Sequence, residues 1–184
     1  MKNSNRKESI KMASITLATS VLLLFTLLAL QINGVSVYIG APPVGISHNV
    51  ISNLLIIVAI ASFTHLFKDR VIKAVIIVLA IFFIGIPSLP NLLFEKEYTT
   101  FSSPDNQEEF VVVERGYGRL YQLSNLGLYM TYLTDIETDN GYKPFSNGSY
   151  KLEWEEPNRL TIQYRFDNIS DSLSKDISIN YKAK

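Results

Sequence analysis

Apolar and polar positions follow two different regimes along this chain. Up to Phe94 the apolar residues come in long uninterrupted runs, and from Tyr98 onward they alternate with polar ones. Three runs stand out: Met12 to Ile32, Val50 to Phe67 and Ala74 to Phe94, none of which contains Asp, Glu, Lys or Arg. About 20 apolar helical residues cross a hydrocarbon core roughly 30 Å thick, and only a helix or a closed barrel satisfies its own backbone there. On insertion scales a charge at mid-depth costs about 2.5–3.5 kcal/mol, while each Leu, Ile, Phe or Val returns roughly 0.3–0.6. The three runs therefore read as three transmembrane helices.

The second regime is one of strands. Tyr150, Leu152 and Trp154 alternate with Lys151, Glu153 and Glu155, and Leu160, Ile162, Tyr164 and Phe166 alternate with Thr161, Gln163 and Arg165. A period of two marks a strand with one buried face. Between these runs, Glu156-Pro157-Asn158-Arg159 supplies a turn, so the pair reads as a hairpin. Further strands are predicted over 98–101, 110–115, 119–123, 128–136 and 177–181, with turn formers in the gaps at 102–106, 116–118, 139–141 and 146–149. The expected fold class is membrane α plus β, with three transmembrane helices followed by a small, mostly antiparallel β-sandwich or open barrel. The expected organisation is a cytoplasmic tail over 1–11, a three-helix membrane region over 12–94 and an extracytoplasmic β domain over 95–184.

Charge adds an orientation. Lys2, Arg6, Lys7 and Lys11 precede the first run, and Lys68, Arg70 and Lys73 lie between the second and third, whereas residues 33–49 carry no formal charge. An excess of Lys and Arg marks cytoplasmic flanks. The amino terminus then lies inside, and residues 95–184 lie outside. The formal net charge of zero hides an asymmetry, because residues 1–94 hold seven basic and two acidic residues and residues 95–184 hold ten and fifteen. A cleaved signal peptide is disfavoured for the first run, which is longer than a usual apolar signal region and has no A-x-A-like site close behind it. The uncharged 34–49 loop, with Tyr38, Ile39, Pro42, Pro43 and Val44, is apolar enough to lie in the membrane interface or cover another subunit. Pro87 and Pro90 are expected to kink or end the third helix.

Candidate chemistry is sparse. There is no cysteine, which excludes thiol catalysis, zinc-thiolate sites and cysteine lipidation and fits a bacterial exported protein. The two histidines, His48 and His65, lack the neighbours of a triad or zinc motif and read as interfacial polar residues. Asp135-x-Glu137-x-Asp139-Asn140-Gly141 superficially resembles a calcium loop, but its glycine is at the seventh position and position twelve is Ser146, so a solvated turn is the better reading. Glu108-Glu109 and Glu155-Glu156 are paired carboxylates whose members point to opposite strand faces, which suits surface solubility. Gly116-Tyr117-Gly118 is too short to cradle phosphate. Asn147 and Asn168 begin formal glycosylation sequons. No catalytic, cofactor-binding or metal site is assigned, and an acidic external domain argues against nucleic acid as a partner.

Ser103-Pro104-Asp105-Asn106 before a Val-rich strand, then Gly141 to Trp154 (GYKPFSNGSYKLEW) and Leu160-Thr161-Ile162, resembles small membrane-anchored proteins of Gram-positive bacteria that carry a compact extracytoplasmic β domain. That likeness implies compartment and fold more than activity. The expected function is non-enzymatic contact with another membrane or envelope protein, as an accessory, regulatory or immunity-type subunit surrounded by membrane lipid. The alternative is a small oligomeric channel or transport component with an external β cap, followed by an envelope-modifying enzyme using Asp135, Glu137 and Asp139. The oligomeric state is not set by the sequence.

Overall fold

A computed structural model describes residues 2–40, 42, 45–93, 95–155, 158–169 and 172–182. The chain forms two compact units, one of residues 1–33 with 47–93, the other of residues 34–46 with 94–184.

The first unit is helical: α1 (Lys2–Ile32), α2 (His48–Leu66) and α3 (Arg70–Leu93). α1 packs along α2, and α3 packs less extensively against α2. Hydroxyl residues inside these helices bond backwards to their own turns, Ser14 to Ile10 O at 3.0 Å, Thr26 to Leu22 O at 3.0 Å and Thr64 to Ile60 O at 2.9 Å. Such bonds remove the polar group without a partner helix. Asp69 caps α3, its Oδ1 accepting from the Val71 N–H at 2.7 Å. α3 continues past Pro87 and Pro90 to Leu93, so neither proline ends it. Among the described residues, Arg6–Ile32 and His48–Leu66 are long and apolar enough to cross a membrane. That is two helices where the sequence suggests three. Their apolar side chains turn outward: Leu22 is 67% exposed and Phe25 66%.

The second unit is built from antiparallel strands. β1 (Val35–Ile39) and β2 (Ile46–Ser47) come from the segment between α1 and α2. β3 (Glu97–Ser102), β4 (Glu109–Glu114), β5 (Gly118–Leu123), β6 (Tyr129–Ile136), β7 (Tyr150–Glu155), β8 (Arg159–Tyr164) and β9 (Lys175–Asn180) follow α3. One sheet has the order β2-β1-β6-β5-β4-β3, the other β7-β8-β9. All seven strands expected after Tyr98 form, with ends shifted by a residue or two. Glu156 and Pro157 of the expected hairpin turn lie outside the described residues, but Glu155 and Arg159 pair across it. The 34–49 loop, read from sequence as apolar enough to lie in the interface or cover another subunit, supplies β1, with Val35 opposite Thr131 and Val37 opposite Tyr129. Ala41, Pro43 and Val44 of that loop are outside the described residues.

The main core joins the two sheets: Phe110, Val112, Leu120 and Ile136 with Leu160, Ile162, Tyr164 and Ile179, closed by Phe145. Each such side chain contributes about 1.5–3 kcal/mol on full burial. Stacked and edge-on rings extend it, with Trp154 5.5 Å from Phe110 and 5.9 Å from Tyr181. A second cluster, Tyr38, Val111, Tyr121, Leu123 and Met130, uses alternate residues of β4 and β5 and so lies on the sheet's other face. Tyr98 on β3 packs against the cluster that holds Tyr38 of β1, although three strands separate them in the sheet. A flat sheet would hold those strands about 19 Å apart. The sheet is therefore curled. A bulge in β6 helps, since Leu120 faces Thr134 and Tyr121 faces Tyr132, leaving Leu133 extra.

Candidate functional site: the β5–β6 hairpin tip and the β6–β9 cleft

The hairpin between β5 and β6 is knotted by one hydroxyl. Ser124, 8% exposed, accepts through Oγ from the Leu128 N–H at 3.1 Å and the Tyr129 N–H at 3.2 Å. Its carbonyl accepts from the Gly127 N–H at 2.9 Å, and its own N–H donates to Tyr129 O at 2.9 Å. Gly127 sits at φ 64°, a left-handed conformation suited to glycine. The Tyr38 N–H donates to Leu128 O at 2.7 Å, which ties β1 to the same tip. This fixed backbone presents Leu126 at 80% exposure, with Ile39, Leu128 and Tyr129 also exposed. A hydrogen-bonded turn normally carries polar residues. Here the turn holds apolar side chains out in a defined geometry, and Leu126-Gly127-Leu128 in the sequence is the signal that could have revealed it.

An open cleft of about 360 Å³ lies where β6, β8 and β9 meet, lined by Tyr132, Thr134, Asp135, Glu137, Tyr164, Lys175, Asp176 and Ile177. Asp135 pairs with Arg119 at 3.2 Å, and the Tyr164 hydroxyl donates to Glu137 O at 3.1 Å. Burial pushes the Tyr164 hydroxyl above its ordinary value of 10.0, reinforced by nearby Glu137. Desolvation raises Tyr132 likewise, with Asp135 adding to it. Both phenols are therefore neutral donors at physiological pH, and neither histidine lines the cleft. It offers hydrogen bonds and charge.

The other singled-out residues scatter. His48 begins α2 and is buried, whereas His65 near its end bonds Ser9 Oγ at 2.7 Å. Seventeen residues of helix hold them about 25 Å apart, too far to share a metal. Asp135 lies in β6 one residue before its end, paired to Arg119, and Asp139 opens a short helical turn in which Asn140 has φ 47°. Among the described residues no group of three or more His, Asp or Glu side chains could hold a metal ion. Glu155 is paired with Arg159 at 3.6 Å, and Glu156 is outside the described residues. Gly116 and Tyr117 lie in the β4–β5 turn and Gly118 opens β5, with the Arg119 guanidinium 4.7 Å over the Tyr117 ring. Ser170 of the second sequon is outside the described residues.

Glu108 departs from the surface role expected of it. It is 2% exposed, and its Oε2 accepts from Gln122 Nε2 at 2.7 Å. A carboxylate is tolerated there because a donor on the neighbouring strand meets it. Glu114 is also buried, accepting from the Phe145 N–H at 3.0 Å and from the Ser146 N–H at 2.8 Å and its hydroxyl. The aromatics divide as well: Tyr38, Tyr121, Tyr164, Phe110 and Phe145 are core, while Tyr117, Tyr129 and Tyr132 are exposed. Comparison with protein-family models, curated proteins and solved structures finds no match to this chain.

Proposed function

We propose that this chain is an integral membrane protein with three spans and an extracytoplasmic β unit, acting without catalysis by binding another membrane or envelope protein. The membrane reading is supported by strand pairing. β1 precedes α2, β6 follows α3, and the two share a sheet. Strands on opposite sides of a bilayer cannot pair, so if α2 crosses, α3 must cross back. α3 has 24 residues, about 36 Å of helix, and the sequence from Ala74 to Phe94 is uncharged. The strand directions also agree: β1 is antiparallel to β6, and three successive antiparallel pairings make β3 antiparallel to β6 as well, so the strands that follow α1 and α3 run the same way. The basic flanks put the amino terminus in the cytoplasm.

The contact function rests on one observation, the apolar tip at Leu126 and Leu128 held out on a hydrogen-bonded turn. Exposed apolar side chains on fixed backbone are how proteins present an anchor to a partner at little entropic cost. An accessory, regulatory or immunity-type role, in an envelope like that of the Gram-positive proteins it resembles, completes the proposal. Photo-crosslinkers placed at Leu126 and at Asp176 test it in intact cells. A discrete adduct from Leu126 but not from Asp176, lost on Leu128→Asp, is expected. No adduct, with the chain recovered alone in mild detergent, would refute it.

A further inference from the structure

We propose that the inner end of the helical unit binds the phosphate head group of anionic phospholipid, using Arg6, Lys7 and Lys11 of α1 with Lys68, Arg70 and Lys73 at the α2–α3 turn. The inference rests on the membrane reading above and extends it from topology to a ligand. α1 begins at Lys2, whereas its apolar stretch begins at Met12, so about 15 Å of polar helix projects beyond the hydrocarbon. The Ser9 to His65 hydrogen bond at 2.7 Å lays that projection against the end of α2, although the two residues are 56 positions apart. One bond thus brings the two basic segments to one level.

These six cations have no ion-pair partner among the described residues. The only acidic residues in the same segments are Glu8 and Asp69, which leaves four net positive charges, and Asp69 Oδ1 is already occupied by the Val71 N–H. All but the half-buried Lys73 are exposed. Apolar side chains open to the surroundings sit beside them: Met12 and Ile15 on α1, Phe63 on α2, Val71 and Ile72 on α3. A phosphate held at the cations would therefore have room for attached acyl chains along these helices. That juxtaposition favours a lipid over a free phosphate, since juxtamembrane Lys and Arg are drawn to anionic leaflets and each strengthens association about fivefold.

The test uses the full-length chain in uncharged detergent, with native mass spectrometry reading bound short-chain phosphatidylglycerol, phosphatidylcholine of equal chain length, or inorganic phosphate. Saturable phosphatidylglycerol binding is expected, weakened on the order of 100-fold in Lys68→Gln/Arg70→Gln/Lys73→Gln and weakened by salt. Unchanged helical circular dichroism in the same detergent shows that the helical unit of the variant is folded. Equal binding of the two lipids, an unaffected variant, or inorganic phosphate competing mole for mole would overturn the proposal. Failure of the membrane reading shows separately, as protein recovered from cells in the aqueous fraction without detergent.

Discussion

Removing the Glu114 carboxylate should destabilise the β unit, because that one group anchors the 143–149 turn to β4. Its oxygens accept from the Phe145 and Ser146 N–H groups and from the Ser146 hydroxyl. Phe145 is 2% exposed and Pro144 is fully buried, so the turn cannot swing out to find water. In Glu114→Ala the Phe145 N–H is orphaned at about 1–3 kcal/mol. The partly buried Ser146 groups add about 1 kcal/mol, because water reaches them in part. The sum is about 2–4 kcal/mol of a domain stability of about 5–15. For a unit of this size that corresponds to a drop in Tm of roughly 10–30 °C. Trp154, the single tryptophan, packs in the same core and reports its unfolding by fluorescence in detergent. Glu114→Gln retains the volume and one acceptor oxygen while losing charge assistance, so it should lose about 1–2 kcal/mol. Refutation would be a Glu114→Ala midpoint within about 3 °C of the parent, a shift under about 0.5 kcal/mol.

Three further outcomes are expected. Gly118→Ala places a Cβ 2.9 Å from Ile136 Cβ, so it should cost about 1–3 kcal/mol by overpacking, and a denaturation midpoint equal to the parent's would contradict this. Lys143 donates to Glu97 at 2.6 Å and holds that carboxyl below its ordinary 4.5. The folded state then binds this proton less readily than the unfolded chain, so the contribution is present above about pH 4.5 and disappears as pH falls through the lower folded value. Glu97 is well exposed, so Lys143→Gln should lower stability at pH 6 by no more than about 1 kcal/mol, with the difference shrinking in melts as pH falls below the ordinary carboxyl value. Val35→Cys/Thr131→Cys should form a disulfide in this cysteine-free chain, since those residues pair between backbone-bonded rungs with Cα atoms about 4.5 Å apart. Free thiols after mild oxidation, shown by alkylation, would count against β1–β6 pairing.

Local pattern was enough to read the helices and the seven later strands. An uncharged run such as Ala74 to Phe94, or the alternation from Tyr150 to Trp154, expresses how a side chain meets lipid, core or water, and those periods are written residue by residue. Val35 to Ile39 also alternates, but its partner lies more than 90 positions away, and no local period encodes a distant register. Glu108 and Glu114 look like surface carboxylates because their donors, Gln122 and Phe145-Ser146, are 14 and about 31 residues further on. Burial of a charge depends on what packs over it, and packing is set by long-range topology. The same holds for Leu126 and Leu128: their apolar character is visible in the letters, but only the Ser124 hydroxyl knot and the Tyr38 bond determine that they point outward. Sequence alone therefore determined which segments are apolar enough for long helices and which later segments form strands, while tertiary structure decided that the 34–49 segment joins the sheet, which charges are buried, which rings are exposed and which distant segments meet.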